Sequence, residues 1–397
     1  MNKYRLKDSQ KIRPYIRTLA FYIFIVPLDA IKLFQGFSFM RVLILLPICL
    51  ALFNIKYQKL TLHKSAVLLS LFLVDIAFSV LYACDFSRSK DAFVAFLLNA
   101  GCVLFFSMFQ MSSEELDYLK HSCFASSWLA ALFMAVSGIT TIGSTGRLSI
   151  SNGETAQDAN YVCGYLLFAV AVYSLRIIKK NNTIKSTAML LVLATLVFLT
   201  GSRGGLLSYV FAIASTFLIG VAKSRNKLKS TILIITVLGV GILFSPYIIQ
   251  MLPETLASRF SIQLAIESKG TGRFDLWMNI IRQFKEASLP RKLFGYGIGS
   301  SIYFTGTGLV AHNLWLENLI GIGVVGLSIS IIFYGKLLQI CWKKNEFVLF
   351  GTLMGYMMMT MSLSIGTYKP LWNIALIILM IGKESLKSKG STGYGGI

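Results

Sequence analysis

Long apolar runs, separated by short polar and basic stretches, make up most of this sequence. Many of the runs are near 20 residues long, the length an α-helix needs to cross about 30 Å of hydrocarbon. The pattern predicts an all-α protein, a polytopic membrane bundle of about twelve transmembrane helices. The predicted spans are 18–35, 38–54, 65–84, 92–111, 122–141, 159–178, 187–201, 204–222, 231–250, 311–334, 347–366 and 371–382.

Composition supports a membrane protein. Of the 397 residues, 55% are hydrophobic and 14% are charged, whereas soluble domains carry about 25% charged residues. Soluble, disordered and disulfide-stapled classes are therefore excluded. We interpret residues 1–397 as a single integral membrane domain.

The basic residues indicate how the chain is oriented. The net charge is +21, and the basic residues cluster between the apolar runs. The clusters lie at 3–17, 56–64, 176–185, 223–229, 336–344 and 383–389. Twelve spans with both termini in the cytoplasm place all six clusters inside, as the positive-inside rule requires. Nucleic acid is not expected as a partner, because no basic segment belongs to a recognisable reading module.

The longest connection, 251–310, is predicted to be a large extracytoplasmic loop before the tenth span. Loops of this length are usually functional. Residues 273–288 have helical spacing and predict an amphipathic helix that lies on the membrane or caps the bundle. Its predicted apolar face is Phe274, Trp277, Met278, Ile281 and Phe284. The glycines at 295, 297 and 299 are expected to give a flexible return to the next span.

Soluble-enzyme motifs and metal sites are not found in the sequence. It contains no Walker A loop, H-E-x-x-H helix or G-x-S-x-G elbow. The six cysteines form no C-x-x-C pair and the three histidines are dispersed. We therefore expect no cofactor and no metal.

Basic residues on the predicted outer side are the candidates for chemistry. Arg203 lies in the segment TGSRGG (200–205). Two interpretations remain open. Gly201 and Gly205 could pack helices while Arg203 snorkels, or the guanidinium could grip phosphate oxygens beside the exposed backbone of the glycines.

Three further residues stand on the same side. Arg273 begins the predicted amphipathic helix, where it could bind an anion with the free helix amides or pair with Asp275. His312 is the one outer histidine of this topology, and it could anchor the interface or abstract a proton. Arg147, in a polar outer segment, is a solvated loop arginine or a phosphate or sugar ligand.

These segments together resemble the O-antigen ligase and polymerase family of bacterial membrane enzymes. The matching stretches are FLTGSRGGLL (198–207), GRFDLW (272–277) with LFGYGIG (293–299), and HNLWLENLIGIGVVG (312–326), and DANY (158–161) resembles the family's asparagine-containing segment. The resemblance covers roughly residues 140–330.

The resemblance implies an inverting, metal-independent glycosyltransferase in the bacterial inner membrane, with its active site on the extracytoplasmic face. Its donor would be a glycan on undecaprenyl diphosphate, and its acceptor a glycan or lipid-linked hydroxyl. Arg203 and Arg273 would hold the diphosphate and His312 would activate the acceptor. Arg147, Asn160 and Glu317 would contact diphosphate or glycan. Membrane lipids, and other polysaccharide export proteins, are the further partners it suggests.

The acceptor is left open by these motifs. A polymerase extends a lipid-linked repeat unit, whereas a ligase transfers the chain to a lipid A core or a protein. Polymerases are the more varied and numerous branch, which favours a polymerase of O-antigen, capsule or exopolysaccharide. A small-anion transporter is the alternative of another class. It is disfavoured because the sequence shows neither an internal repeat nor broken midplane helices.

Overall fold

The computed structural model describes residues 12–30, 39–57, 60–150, 157–223 and 254–383 except 269 and 271, together with the single residues 239, 247 and 250. Every regular element among them is helical. Six helices in this part of the chain are long and apolar enough to cross a membrane. The prediction of an all-α membrane protein is confirmed. The predicted span 231–250 lies almost wholly outside the described residues, so the count of twelve stays a prediction.

Thirteen helices of the described part are used below, and short helices at Glu254–Ala257 and Ile262–Glu267 precede the ninth. Their bounds are α1 Pro14–Ile25, α2 Phe39–Phe53, α3 Lys64–Leu81, α4 Phe86–Ser107, α5 Ser113–Thr145, α6 Ala159–Ile178, α7 Thr183–Leu199, α8 Arg203–Ala222, α9 Arg273–Glu286, α10 Leu289–Phe294, α11 Leu314–Lys344, α12 Phe347–Thr360 and α13 Lys369–Lys383.

The centre of the bundle is formed by α6 and α13, which are buried along almost their whole length. Both are apolar on every side, which is typical of a helix surrounded by other helices. Helix α6 packs on α5, α7, α8 and α12. The ends of α6 are therefore held by the body of the protein, and its first residues can serve as a fixed wall of a site.

The two ends of the bundle differ in charge. The end that holds the starts of α1, α5 and α12 carries the described members of all six basic clusters, and we call it the basic end. Here Arg13 pairs with Glu115, and the Nζ atom of Lys120 lies 3.1 Å from a carboxylate oxygen of Glu346. The opposite end holds the starts of α6, α8, α11 and α13.

At that opposite end, residues 295–299 are inserted between helices. Helix α11 breaks at Gly323, whose φ is 65°, and the break frees two carbonyls. The backbone N–H of Tyr296 donates to Ile320 O at 2.9 Å, and that of Gly297 donates to Gly321 O at 2.8 Å. Irregular backbone inside a membrane bundle must be satisfied by protein in this way.

The other side of the inserted segment is bonded as well. Cys84 N donates to Tyr296 O at 2.9 Å, and Ile298 N donates to Ser79 Oγ at 3.1 Å. A Cβ at Gly295 would collide with the carbonyl group of Gly321. The expected flexible return is therefore wrong, because the glycines allow close backbone packing instead.

The amphipathic helix predicted over 273–288 is confirmed as α9, although its buried face differs from the prediction. Leu276 and Ile280 are buried, while Phe274 and Met278 are about half exposed. The predicted face followed the aromatic residues, but the aliphatic pair faces the protein. Two large apolar side chains therefore remain on the outer surface of α9.

Candidate functional site

A cavity of about 1150 Å³ opens at the end opposite the basic end. Its charged and amide-bearing lining residues are Arg147, Asp158, Asn160, Arg203, Arg259, Glu267, Arg273 and His312. Five of the six residues predicted from the sequence are brought together there. The sixth, Glu317, is not among the lining residues.

Four helices begin at this cavity. Arg203 is the first residue of α8 and Arg273 the first of α9. Asp158 caps the start of α6, and His312 lies two residues before the start of α11. The N-terminus of a helix carries a partial positive charge and free N–H groups, so helix starts favour anions. The backbone and the arginines therefore give the cavity the same sign of potential.

The TGSRGG segment turns the chain sharply from α7 into α8. Gly201 takes a left-handed conformation with φ 59°, which glycine adopts without cost. The Ser202 hydroxyl accepts a hydrogen bond from Gly205 N at 2.9 Å and so caps α8. A Cβ at Gly205 would collide with Cys163 of α6. The glycines therefore pack helices, as the first interpretation expects, and Arg203 lines the cavity. The grip of its guanidinium on phosphate stays a prediction.

Arg147 is fixed to this turn. Its Nε atom donates to Thr200 O at 2.8 Å, and a terminal nitrogen lies 3.3 Å from Asn160 Oδ1. Asn160 in turn donates to the Asp158 carboxylate at 2.7 Å. Burial lowers the pKa of Arg147, and the nearby charge of Arg259 adds to this. Arg147 is thus a half-buried part of the cavity wall, and the interpretation as a solvated loop arginine is wrong.

Arg273 enters the cavity from α9. The residue before it, Gly272, has φ 77° and offers no side-chain cap, so the first amides of the helix are left for a ligand. Burial lowers the pKa of Arg273, and the Asp158 carboxylate opposes this shift. Within the described residues its guanidinium makes no ion pair or hydrogen bond, with Asp275 or with any other group. The fork is available to an anion.

The backbone on either side of His312 is anchored. The Trp277 indole N–H donates to Ala311 O at 2.8 Å, which joins α9 to the residue before the histidine. After it, Asn313 caps α11 by accepting from Trp315 N at 3.0 Å, and it donates to Met361 O at 3.2 Å. His312 itself has φ 50°. A residue with a Cβ rarely adopts this conformation, and such outliers gather at functional sites.

The imidazole of His312 is favoured in its neutral form. Burial lowers the pKa of His312, the charge of Arg273 lowers it further, and Asp158 acts in the opposite direction. Among the described residues, the buried Nδ1 atom has no hydrogen-bond partner. A neutral imidazole beside a cationic cavity can accept a proton from a hydroxyl group.

Arg259 is a lining residue that the sequence reasoning missed. It lies in a helical turn, Ser258–Phe260, and its backbone carbonyl accepts a hydrogen bond from Arg203 Nε. The residues around it form no motif. The one sequence feature that indicates Arg259 is its position as a basic residue in the predicted outer loop. The same feature indicated Arg273. Four arginines against the carboxylates of Asp158 and Glu267 leave these lining residues with a net positive charge.

Glu317 lies inside the protein beside the cavity. Its carboxylate accepts hydrogen bonds from Ser364 Oγ and, at 3.4 Å, from Ser301 Oγ. Glu317 is the fourth residue of α11, five residues after His312. Its predicted contact with the glycan remains a prediction.

The family model described as O-antigen ligase matches residues 188–331. No curated protein matches the chain. The matched segment runs from α7 into α11 and contains Arg203, Arg259, Arg273 and His312. The match supports the resemblance of residues 188–331 to the O-antigen ligase and polymerase family of membrane glycan transferases.

Proposed function

We propose that this protein moves a glycan from undecaprenyl diphosphate onto a hydroxyl group of an acceptor sugar during the synthesis of a cell-surface polysaccharide. The observation that carries the proposal is the meeting of four arginines and one neutral histidine in a single cavity, at which four helices begin. A diphosphate that links a lipid to a sugar bears two negative charges. A cavity with four guanidinium groups and two carboxylates matches that charge.

The roles follow from the chemistry of each group. Arg203 and Arg273 hold the diphosphate through forked contacts, which guanidinium groups make with phosphate oxygens. Arg147 and Asn160 form the adjoining wall and contact diphosphate or glycan. The phosphate leaves with concentrated negative charge, and fixed cations in a site that needs no reorganisation stabilise that charge as it develops.

His312 is the proposed general base. Its imidazole takes the proton of the acceptor hydroxyl as the oxygen attacks the anomeric carbon. The bond between that carbon and the phosphate oxygen breaks, and the lipid diphosphate departs with the electron pair. A single displacement of this kind inverts the anomeric carbon. The reaction as written uses no metal ion.

The sidedness of the cavity is part of the proposal. We place the cavity on the extracytoplasmic face of the inner membrane and the basic end in the cytoplasm. The distribution of the six basic clusters supports this placement, because short cytoplasmic connections are rich in Lys and Arg. Labelling with an impermeant thiol reagent tests it in a variant without native cysteines. Ser268→Cys should react in intact cells and Asn181→Cys should not. The reverse pattern would overturn the placement.

The acceptor distinguishes polymerase from ligase, and we favour a polymerase. Lipid-linked glycans from cells that lack the gene test this choice. Single repeat units should accumulate if the protein polymerises, whereas long lipid-linked chains should accumulate if it ligates. A His312→Ala gene returned to these cells should reproduce the same accumulation, since it removes the base without removing the protein. Unchanged lipid-linked glycans in the deletion strain would contradict both activities.

A further inference from the structure

Helix α9 connects two parts of the candidate site. Arg273 is its first residue and Trp277 its fifth, and both line the cavity. Residues four apart lie on the same face of a helix, so both side chains leave α9 on the side of the cavity. The indole N–H of Trp277 donates to Ala311 O at 2.8 Å. The helix that bears a proposed diphosphate ligand therefore also holds the residue before the proposed base.

The bonded carbonyl belongs to the peptide unit that precedes His312. A peptide unit is planar, so the carbonyl oxygen of Ala311 and the nitrogen and Cα atoms of His312 keep a fixed relation to one another. Ala311 is fully buried, and a buried carbonyl needs a hydrogen-bond partner. The indole of Trp277 supplies that partner from α9. The contact thereby fixes the plane from which the backbone of His312 starts.

The acceptor of this hydrogen bond lies in a small apolar cluster. Ile280, Ala311 and Ile320 are buried together there, apart from the main core of the bundle. Ile280 lies on α9, three residues after Trp277, and Ile320 lies in the part of α11 before the break at Gly323. The partly buried side chains packed on the cluster are Phe284, Tyr296, Phe304 and Leu316. Helix α9 and the first part of α11 are therefore packed together around Ala311.

The orientation of His312 depends on its backbone. Among the described residues, its buried Nδ1 atom has no hydrogen-bond partner. Its φ of 50° is one that a residue with a Cβ keeps only where the surrounding structure fixes it. On the following side, Asn313 caps α11 by accepting from Trp315 N. On the preceding side, the hydrogen bond from Trp277 fixes Ala311. The residues that flank His312 therefore set the direction of its ring.

We infer that Trp277 is a positioning residue, which directs the His312 imidazole toward the acceptor hydroxyl through its hydrogen bond to Ala311. This inference rests on the proposed role of His312 as the base. The group of Trp277 that acts is then the indole N–H, and its ring makes no contact with sugar or diphosphate that transfer requires. Loss of the N–H should change the His312 ring and the rate of transfer, while the affinity for the donor is kept.

Nuclear magnetic resonance of the full-length protein tests the effect on the ring. The chain has three histidines, so protein labelled only at histidine gives few imidazole signals, and His312→Gln assigns the signal of interest. Trp277→Phe keeps an aromatic ring and removes the N–H, so the His312 signal should move or broaden. The signals of His63 and His121, which belong to the basic end, should stay in place. Trp342→Phe is the matched control, because it removes an indole at the basic end and should leave the His312 signal unmoved.

A variant with an unchanged ring shape separates the hydrogen bond from packing. Site-specific incorporation of benzothienylalanine at position 277 puts a sulfur atom in the place of the indole N–H and keeps the bicyclic ring. It should move the His312 signal in the same direction as Trp277→Phe, and it decides the matter if Trp277→Phe does not fold. An unmoved His312 signal in this variant would overturn the inference, because the ring without its N–H would then be sufficient.

Kinetics of glycan transfer complete the test. Trp277→Phe should lower kcat by roughly tenfold, the effect of losing one hydrogen bond, and leave the Kd for the lipid-linked donor within about twofold. A raised Kd would overturn the inference, since the indole would then contact the donor. A parental kcat would overturn it as well, and so would a lowered kcat with an unmoved His312 signal. Failure of the proposed function is recognised separately, because His312→Gln would then transfer glycan at the parental rate.

Discussion

The Nε atom of Arg203 donates a hydrogen bond to the backbone carbonyl of Arg259. This contact uses one donor of the guanidinium and sets the Ser258–Phe260 turn against the start of α8. The two terminal nitrogens remain for a ligand in the cavity. In the proposed mechanism a single side chain therefore fixes the wall and binds the anion, and the ammonium group of a lysine has no planar fork with which to do both.

Replacement of Arg203 or Arg273 by lysine should fail nearly as badly as replacement by alanine. The loss of a contact of this kind to developing charge typically costs about 3–4 kcal/mol, or two to three decades in rate. Transfer from a lipid-linked donor by purified protein measures the effect. The Kd for the donor should rise in these arginine variants and stay unchanged in His312→Ala, because the proposed role of His312 is to deprotonate the acceptor hydroxyl.

Arg282→Lys is the matched control for that series. Arg282 lies on α9 like Arg273, but it is exposed to solvent, bonds Asn279 at 3.0 Å and does not line the cavity. Its replacement should leave transfer near the parental rate. If Arg203→Lys and Arg273→Lys also transfer normally in well-expressed protein, the diphosphate assignment is wrong. Glycine packing would then account for the TGSRGG segment.

Arg259→Ala should weaken donor binding while the fold is kept. The backbone carbonyl that accepts from Arg203 is retained in this variant. Any loss of affinity for the donor is therefore due to the missing guanidinium group alone. A hydrogen bond to a charged group contributes about 1.5–3 kcal/mol, which corresponds to roughly a ten- to hundredfold rise in Kd. Isothermal titration with the lipid-linked donor measures it. An unchanged Kd would remove Arg259 from the donor site.

Transfer should continue in excess chelator. The described residues contain no group of three or more His, Cys, Asp and Glu side chains that could hold a metal ion, and the arginines supply the positive charge. The check compares purified protein in buffer with and without a strong chelator. Loss of activity that Mg²⁺ or Mn²⁺ restores would contradict the proposed mechanism.

The sequence predicted most of the fold because lipid imposes a simple rule on it. A run of about 20 apolar residues must be a helix when its backbone has no water to bond. The same rule makes an outer arginine conspicuous, so the sequence alone indicates Arg203 and Arg273 as candidates. The convergence of their helix starts with Arg147 and His312 could be expected from the family resemblance alone.

Other features depend on backbone contacts that leave no periodic signal. Residues 295–299 insert by donating hydrogen bonds to the carbonyls of Ile320 and Gly321. These carbonyls are free to accept only because α11 breaks at Gly323. Sequence shows the glycines but not their partners. Arg259 likewise gains its place from one carbonyl contact, and nothing in the adjacent residues indicates it.

The inserted segment gives a stability prediction with a matched control. Gly295 and Gly308 both have a positive φ, 78° and 73°, so alanine strains the backbone at either position. At Gly295 the ψ of −162° adds to this strain, since that combination of angles is essentially restricted to glycine. A Cβ at Gly308 meets open space, whereas a Cβ at Gly295 meets the backbone of Gly321. Gly308→Ala should lower the Tm by a few degrees, and Gly295→Ala by much more. Equal shifts in thermal unfolding would mean that 295–299 does not insert.

His312 gives the pH prediction, and its sign follows from the groups that face it. Burial and the charge of Arg273 put the pKa of His312 below its usual 6.5, and Asp158 acts in the other direction. Since the neutral imidazole is the base, kcat/KM should rise with pH through this lowered pKa and be level by pH 7. The acid limb of kcat/KM reports the free enzyme, so its midpoint should lie below 6.5.

Two charge variants should move the pKa of His312 in opposite directions. Arg273→Gln removes a neighbouring cation that disfavours the imidazolium form, so the pKa should rise. Asp158→Asn removes a carboxylate that favours the imidazolium form, so the pKa should fall. Titration of the His312 resonance measures both without relying on transfer, which Arg273→Gln is expected to abolish. Burial is the largest cause of the lowered pKa and persists in both variants, so Arg273→Gln should not raise the pKa above 6.5. Shifts of the same sign in the two variants would show that Arg273 and Asp158 do not act on His312 through their charges.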